Sequence, residues 1–164
     1  MNIWGLFRTF VLIHHYLLKT KQMFTYRYPH PAVTADCVVF AHDGEDTKVL
    51  LIQRKHAPCE GQWAFPGGFM NIDETAEAAA RRELEEETGL RVDLLTQVGA
   101  FSAVDRDPRE RVVTVAYFAT LPFPMPVKGA DDAAEARWFS LRSLPLLAFD
   151  HADILKKACQ MAGW

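Results

Sequence analysis

A helix whose charges contradict its packing constrains this chain most. Residues 74–88 are rich in Ala, Glu and Arg, all strong helix formers, with Asp73 as the expected N-cap and Gly89 as the stop. Seven of the 21 acidic residues fall between Asp73 and Glu87. Stepped at about 100° per residue, Ala76, Ala79, Ala80 and Leu84 form one stripe that must face a core. Glu87 falls between Ala76 and Ala80 on that stripe, Glu83 between Ala79 and Ala76, and Glu86 on its edge. Glu85 points the opposite way. Two or three carboxylates therefore face the body of the protein, where an uncompensated charge costs on the order of several kcal/mol. They also lie near the C-terminal end, where the helix dipole disfavours them by about 0.3–1 kcal/mol each. A solvated face, the ordinary reading of a charge run, does not account for this; ion pairing with distant arginines is the structural alternative. Clustered hard oxygen donors on adjacent turns suit a hard divalent cation, magnesium or manganese.

The rest of the chain offers a sheet for that helix to cover. Residues 34–41 and 48–54 are β-branched, apolar runs around the turn cluster HDGEDT and predict an antiparallel pair. Pro58, Gly61, Pro66, Gly67 and Gly68 make residues 56–71 a long loop. Two further strands are expected over 91–104 (broken) and 111–120, joined by the charged loop DRDPRE. A short strand over Arg137–Leu141 follows the acidic loop Asp131–Glu135. Asp150 is expected to cap a last helix reaching about Met161, with His151 on its surface. This order predicts an α/β fold, a mixed sheet covered by helices.

With 164 residues the chain allows one domain. A net charge of -3 argues against a nucleic-acid partner. Three cysteines without CxxC spacing predict reduced thiols and a cytoplasmic setting. Residues 1–22 form an apolar N-terminal extension, a docked helix or a leader ahead of Met23, with the domain running over 23–164. Arg8 and His14-His15 interrupt its apolar run, so it falls short of a membrane span.

Gly68, Glu74, Arg82-Glu83-Leu84, Glu86-Glu87 and Gly89-Leu90 stand at the spacing of the complete Nudix box, and the chain resembles that hydrolase family over roughly residues 28–160. The resemblance implies an α/β/α sandwich around a mixed β-sheet. It implies hydrolysis of a nucleoside diphosphate linked to another group, with Glu83, Glu86 and Glu87 as the metal-binding glutamates. By the same resemblance Arg82 orients a neighbouring glutamate, Gly67 and Gly68 let the backbone approach the site, and Glu74 serves the loop–helix architecture. The general base stays open between Glu83 or Glu86 and the acids Asp131, Asp132 and Glu135.

The segment DRDPR at 105–109 resembles that of an ADP-ribose pyrophosphatase-like subgroup, with Val104 where that subgroup commonly has proline. Arg106 and Arg109 are candidates to hold phosphate or ribose, against a polar loop that pairs with itself. Arg54 and Trp63 are candidate substrate contacts, with packing as the alternative. The resemblance thus implies a magnesium-dependent hydrolase (manganese as the alternative) that splits ADP-ribose into AMP and ribose 5-phosphate. A sanitising hydrolase of oxidised or noncanonical nucleoside triphosphates is the second reading. A noncatalytic ADP-ribose sensor is the third, disfavoured by an intact box and by the absence of a DNA-binding domain after it. Family relatives are often homodimers, so a homodimer is a further expectation.

Overall fold

A run of buried residues, Ala35 to Ala41, fixes the central strand, and the chain is wound around it. The computed structural model describes residues 24–164; the expected N-terminal helix or leader lies outside the described residues. Strand β1 (Ala32–His42) is followed by β2 (Thr47–Arg54), β3 (Trp63–Ala64), β4 (Gly67–Phe69) and helix α1 (Ala76–Thr88). Then come β5 (Thr96–Phe101), β6 (Val112–Leu121), β7 (Ala133–Ser140) and helix α2 (His151–Ala162). The sheet has seven strands, in the order β3-β2-β1-β6-β5, with β4 on β1 and β7 on β2. β1 and β6 run parallel; the other pairs are antiparallel. The expected β1–β2 pair is present, and α1 and α2 cover opposite faces of the mixed sheet, the anticipated α/β/α sandwich.

Period-two alternation along β1 divides the core. Ala35, Cys37 and Val39 pack with Ala79, Ala80 and Leu84 of α1. Val38 and Phe40 pack with Ile154, Leu155 and Ala158 of α2. No helix among the described residues is long and apolar enough to cross a membrane.

Several boundaries differ from expectation for identifiable reasons. The N-cap of α1 is Thr75, whose hydroxyl accepts from the Ala78 N–H at 3.2 Å, and Asp73 stays exposed outside the helix. Gly89 ends α1 with φ 73, donating its N–H to the Glu85 carbonyl. The loop over 56–71 contains β3 and β4, because β2 and β1 each offer an edge that Trp63–Ala64 and Gly67–Phe69 can pair with. β7 begins at Ala133, taking in part of the expected acidic loop through its register with Gln53 and Arg54, where β2 bulges.

β1 pairs with β2 only through Phe40–His42, while its Thr34–Asp36 stretch pairs with β4. The two strands diverge there. The gap between them, floored by β1 and flanked by α1 and the start of α2, is where the candidate site lies.

Candidate active site

A cleft of about 430 Å³ opens at that divergence. Arg54, Gly67, Gly68, Arg82, Glu83, Glu86, Glu87, Arg106, Arg109 and Asp131 all line it, as does Asp132. Trp63 does not. Its ring packs edge-on against Phe139 at 4.5 Å with the Arg137 guanidinium 5.6 Å from its centroid. Its backbone instead donates to the Leu146 carbonyl and accepts from the Ala148 N–H, tethering the segment that leads into α2.

At the α1 wall the carboxylates sit where helical phase put them. Glu87 is 4% exposed, and its Oε2 accepts the Gly67 N–H at 3.0 Å. Burial pushes its carboxyl up to about 8, against the pull of that N–H, and the charges of Glu83, Asp36 and Asp132 add to the rise. The Glu83 carboxyl is also raised by burial, with Arg82 opposing. A Cβ on Gly68 would lie 2.5 Å from Glu83 Oε1, and one on Gly67 2.4 Å from Asp36 Oδ1. The glycine pair is thus needed for close approach: a side chain on Gly68 would displace the Glu83 carboxylate, and one on Gly67 would strike the β1 backbone at Ala35 and Asp36.

Arg82 is the hub of this wall. It donates to Glu83 Oε1 at 2.7 Å and to Glu86 Oε2 at 2.9 Å. Glu74, itself gripped by the Asn71 N–H, receives two further Arg82 hydrogen bonds at 3.0 and 2.6 Å. Those bonds hold the Glu74 carboxyl down to about 2. Among the described residues no three His, Cys, Asp or Glu side chains converge as a ready ion cage, since Glu83 and Glu86 are turned onto Arg82. The donor set nevertheless fits a hard divalent cation: Glu83 and Glu86 share one guanidinium that Glu74 already engages, and Glu87 lies buried with no cationic partner among the described residues.

The opposite wall is cationic, and its arginines are tied down to different degrees. Arg106 forms a two-bond pair with Asp150, at 2.9 and 2.6 Å, and its side chain is only 4% exposed. It braces the wall. Arg109 pairs with Asp107 two residues back, at 3.0 and 2.7 Å, and remains partly exposed. Arg54 donates from Nε to the Pro58 carbonyl at 2.9 Å. Asp131 has a left-handed backbone, φ 50, and its carbonyl accepts from Lys55 Nζ. Glu135, an expected candidate base, pairs with Arg137 and does not line the cleft.

Among the cleft residues that escaped the sequence reading, Asp36, His151 and Phe149 stand out. Asp36, an acid in the buried strand β1, accepts from the Thr114 hydroxyl at 2.5 Å. An acid inside the apolar run TADCVVFA was the available signal. His151 is not a surface residue: it is 4% exposed and stacks on Phe65 at 5.0 Å, and its Nδ1 accepts the Phe65 N–H at 3.0 Å. Burial holds its imidazole below the usual histidine range. Asp150 occupies the N-cap position but caps nothing with its side chain, which goes to Arg106. Phe149 is the third, and no sequence signal marked it.

A family model described as NUDIX domain matches residues 30–158. An ADP-ribose pyrophosphatase of Methanocaldococcus jannaschii is 42% identical over 141 residues, which cover 85% of this chain and 80% of that protein. An ADPR responsive transcriptional repressor, NtrR, of Acinetobacter baylyi is 39% identical over 135 residues. That match covers 80% of this chain but only 54% of the repressor, so the chain spans about half of its length. Among solved structures, the NUDIX domain of Shewanella oneidensis NrtR complexed with ADP ribose superimposes with a TM-score of 0.79 at 27% identity. The superposition covers 89% of this chain and 97% of that one.

Proposed function

The chain belongs to the Nudix family, and from that premise we propose that it is a divalent-metal-dependent pyrophosphohydrolase that splits ADP-ribose into AMP and ribose 5-phosphate. One observation carries the reading. A buried carboxylate on a strand of paired glycines, Glu87 bonded to the Gly67 N–H of β4, shares a single cleft with guanidiniums on the facing wall. Such a site suits a ligand that is both polyanionic and metal-binding, which a pyrophosphate is. The likeness to an ADP-ribose pyrophosphatase and to an ADP-ribose complex supports the choice of substrate.

In the reaction a water oxygen attacks one phosphorus and the P–O–P bridge breaks. The bridging oxygen leaves on the other phosphate, and the water's proton passes to a carboxylate. Glu83, Glu86 and Glu87 would hold the cation, magnesium by their hard oxygen donors and manganese as the alternative. A bound cation there supplies neutralisation of pyrophosphate charge and a lowered pKa for water. Arg82 keeps Glu83 and Glu86 at the cleft wall, and Glu74 keeps Arg82 in place. Arg54 and Arg109 offer N–H donors to the phosphates. The proton acceptor is Glu83 or Glu86 on α1, with Asp131 and Asp132, on the cleft-lining loop bonded to the end of α1, as the competitors. Three unbonded cysteines support a cytoplasmic setting.

The test is AMP release with magnesium from ADP-ribose, NADH, a diadenosine polyphosphate, and normal and oxidised deoxynucleoside triphosphates. Preferential turnover of ADP-ribose, lost in Glu87→Gln, is the expected result. Product from the triphosphates alone would make the protein a sanitising hydrolase. Tight ADP-ribose binding without any turnover would make it a sensor.

A further inference from the structure

Phe149 lines the cleft, yet neither the box nor the charge pattern accounts for it. It stands just before α2 with φ 52, a left-handed conformation that bulky side chains avoid. Two guanidiniums flank its ring, Arg54 at 5.0 Å and Arg109 at 6.0 Å from the centroid, with Phe69 on the other side of Arg109 at 5.2 Å. They come from β2 and from the loop between β5 and β6, which share no strand pairing. Each is anchored along one edge only: Arg54 on the carbonyls of Pro58 and His56, Arg109 on Asp107. Among the described residues each retains one terminal nitrogen, Nη1, with no hydrogen-bond partner, and both side chains line the cleft.

Two like charges near one ring repel each other, and the negative faces of an aromatic ring offset that repulsion. We propose that Phe149 is a positioning residue whose ring spaces the Arg54 and Arg109 guanidiniums to receive the two phosphates of a nucleoside diphosphate. The inference rests on the functional reading above and adds the residue that sets the phosphate grip. The segment around Phe149 is held on both sides. Ala148 donates to the Trp63 carbonyl at 2.8 Å, Asp150 holds Arg106, and His151 accepts the Phe65 N–H. These bonds over-determine the backbone, which is how an unfavourable conformation persists at a working site.

The experiment measures ADP binding by calorimetry without divalent metal, and ADP-ribose turnover with magnesium, at a temperature where every variant is folded. Phe149→Leu keeps an apolar side chain without the ring, and is expected to weaken ADP binding by about tenfold. It should raise KM similarly while kcat changes little. Phe149→Tyr should restore both. Phe149→Gly removes the ring and the left-handed strain together, at the cost of the ring's packing on Ile52, Ala64 and Ala148, and should bind as weakly as Phe149→Leu. Parent-like binding by Phe149→Leu, or equal losses in Phe149→Leu and Phe149→Tyr, would overturn the proposal and leave the hydrolase reading intact. If the parent protein neither binds ADP nor turns over ADP-ribose, the hydrolase reading falls and takes this inference with it.

Discussion

The two helices close the same sheet from opposite faces but meet the cleft by different means. α1 lays its flank along the cleft and presents carboxylates that outnumber their partners. Glu83 and Glu86 share Arg82 with Glu74, and Glu87 is buried against nothing more than a backbone N–H. α2 presents its N-terminal end, where the polar groups are matched: Asp150 with Arg106, His151 with the Phe65 N–H. Unmatched charge costs stability and is kept for chemistry, whereas matched groups brace a wall. Substitutions should therefore separate activity from stability at α1 and couple them at α2.

The largest expected effect is on activity, from Glu87→Gln. Removing one electrostatic partner of the reaction should lower kcat by about 10²–10³. Thermal unfolding of the metal-free variant should occur at the same temperature or higher, because a buried carboxyl no longer has to take up a proton or lose its water on folding. Parallel losses of kcat and stability would break the comparison, making the α1 flank structural.

Arg106→Ala is the counterpart at α2. It leaves Asp150 without its guanidinium, and urea unfolding should show a loss of about 3–5 kcal/mol, as for other broken buried pairs. The pair is mostly shielded, at 4% and 17% side-chain exposure, so solvent screening discounts little of it. The double substitution Arg106→Met with Asp150→Leu should recover much of that loss. A single-variant cost below about 1 kcal/mol, the exposed-pair range, would mean the brace carries little.

Acidity should sharpen the contrast, because the two ends respond with opposite sign. The folded-state pKa of Glu87 is raised, to about 8, above its unfolded value. The folded protein then binds more protons between those values, so stability is full below the unfolded pKa and is lost as pH rises through about 8. His151 is lowered by burial. The unfolded state binds its proton first, so this contribution is full above about 6.5 and is lost as pH falls through the folded pKa. Unfolding free energy of the metal-free protein, measured from pH 5 to 9, should lose its alkaline slope in Glu87→Gln and part of its acid slope in His151→Gln. Unchanged slopes in both variants would remove the assignment.

How much of this was legible differs between the same two regions. At α1 the periodicity placed Ala79, Ala80, Leu84 and Glu87 inward, and all four are buried. A helix reports its own faces from local sequence alone. At α2 the residues that matter are addressed to distant ones, Asp150 to Arg106 and His151 to Phe65, across 44 and 86 positions. Locally each has an ordinary explanation, a cap and a surface histidine, so no window around them betrays the partner. The same limit applies to Arg106: its local sequence marks a candidate to hold phosphate or ribose, and the Asp150 that pairs with it lies 44 positions away. β3 and β4 were missed because they are two and three residues long and exist only through edges offered by β2 and β1.

The smallest effect concerns the start of α1, where acidic residues crowd the sequence and the cap is ambiguous. Asp73, Glu74 and Thr75 all precede the first helical turn. The Thr75 hydroxyl accepts from the Ala78 N–H, while Glu74 is committed to Arg82 and Asn71. Thr75→Ala should therefore cost about 1 kcal/mol in urea unfolding, the usual value of a lost cap. Asp73→Ala, which removes a charge one turn outside the ladder, should cost less than about 0.5 kcal/mol. Neither should change kcat as Glu87→Gln does, because the carboxylates sit at the far end of the helix. The reverse order of the two costs would put the cap at Asp73 and rotate the first turn, and with it the phase that brings Glu83 and Glu87 to the cleft.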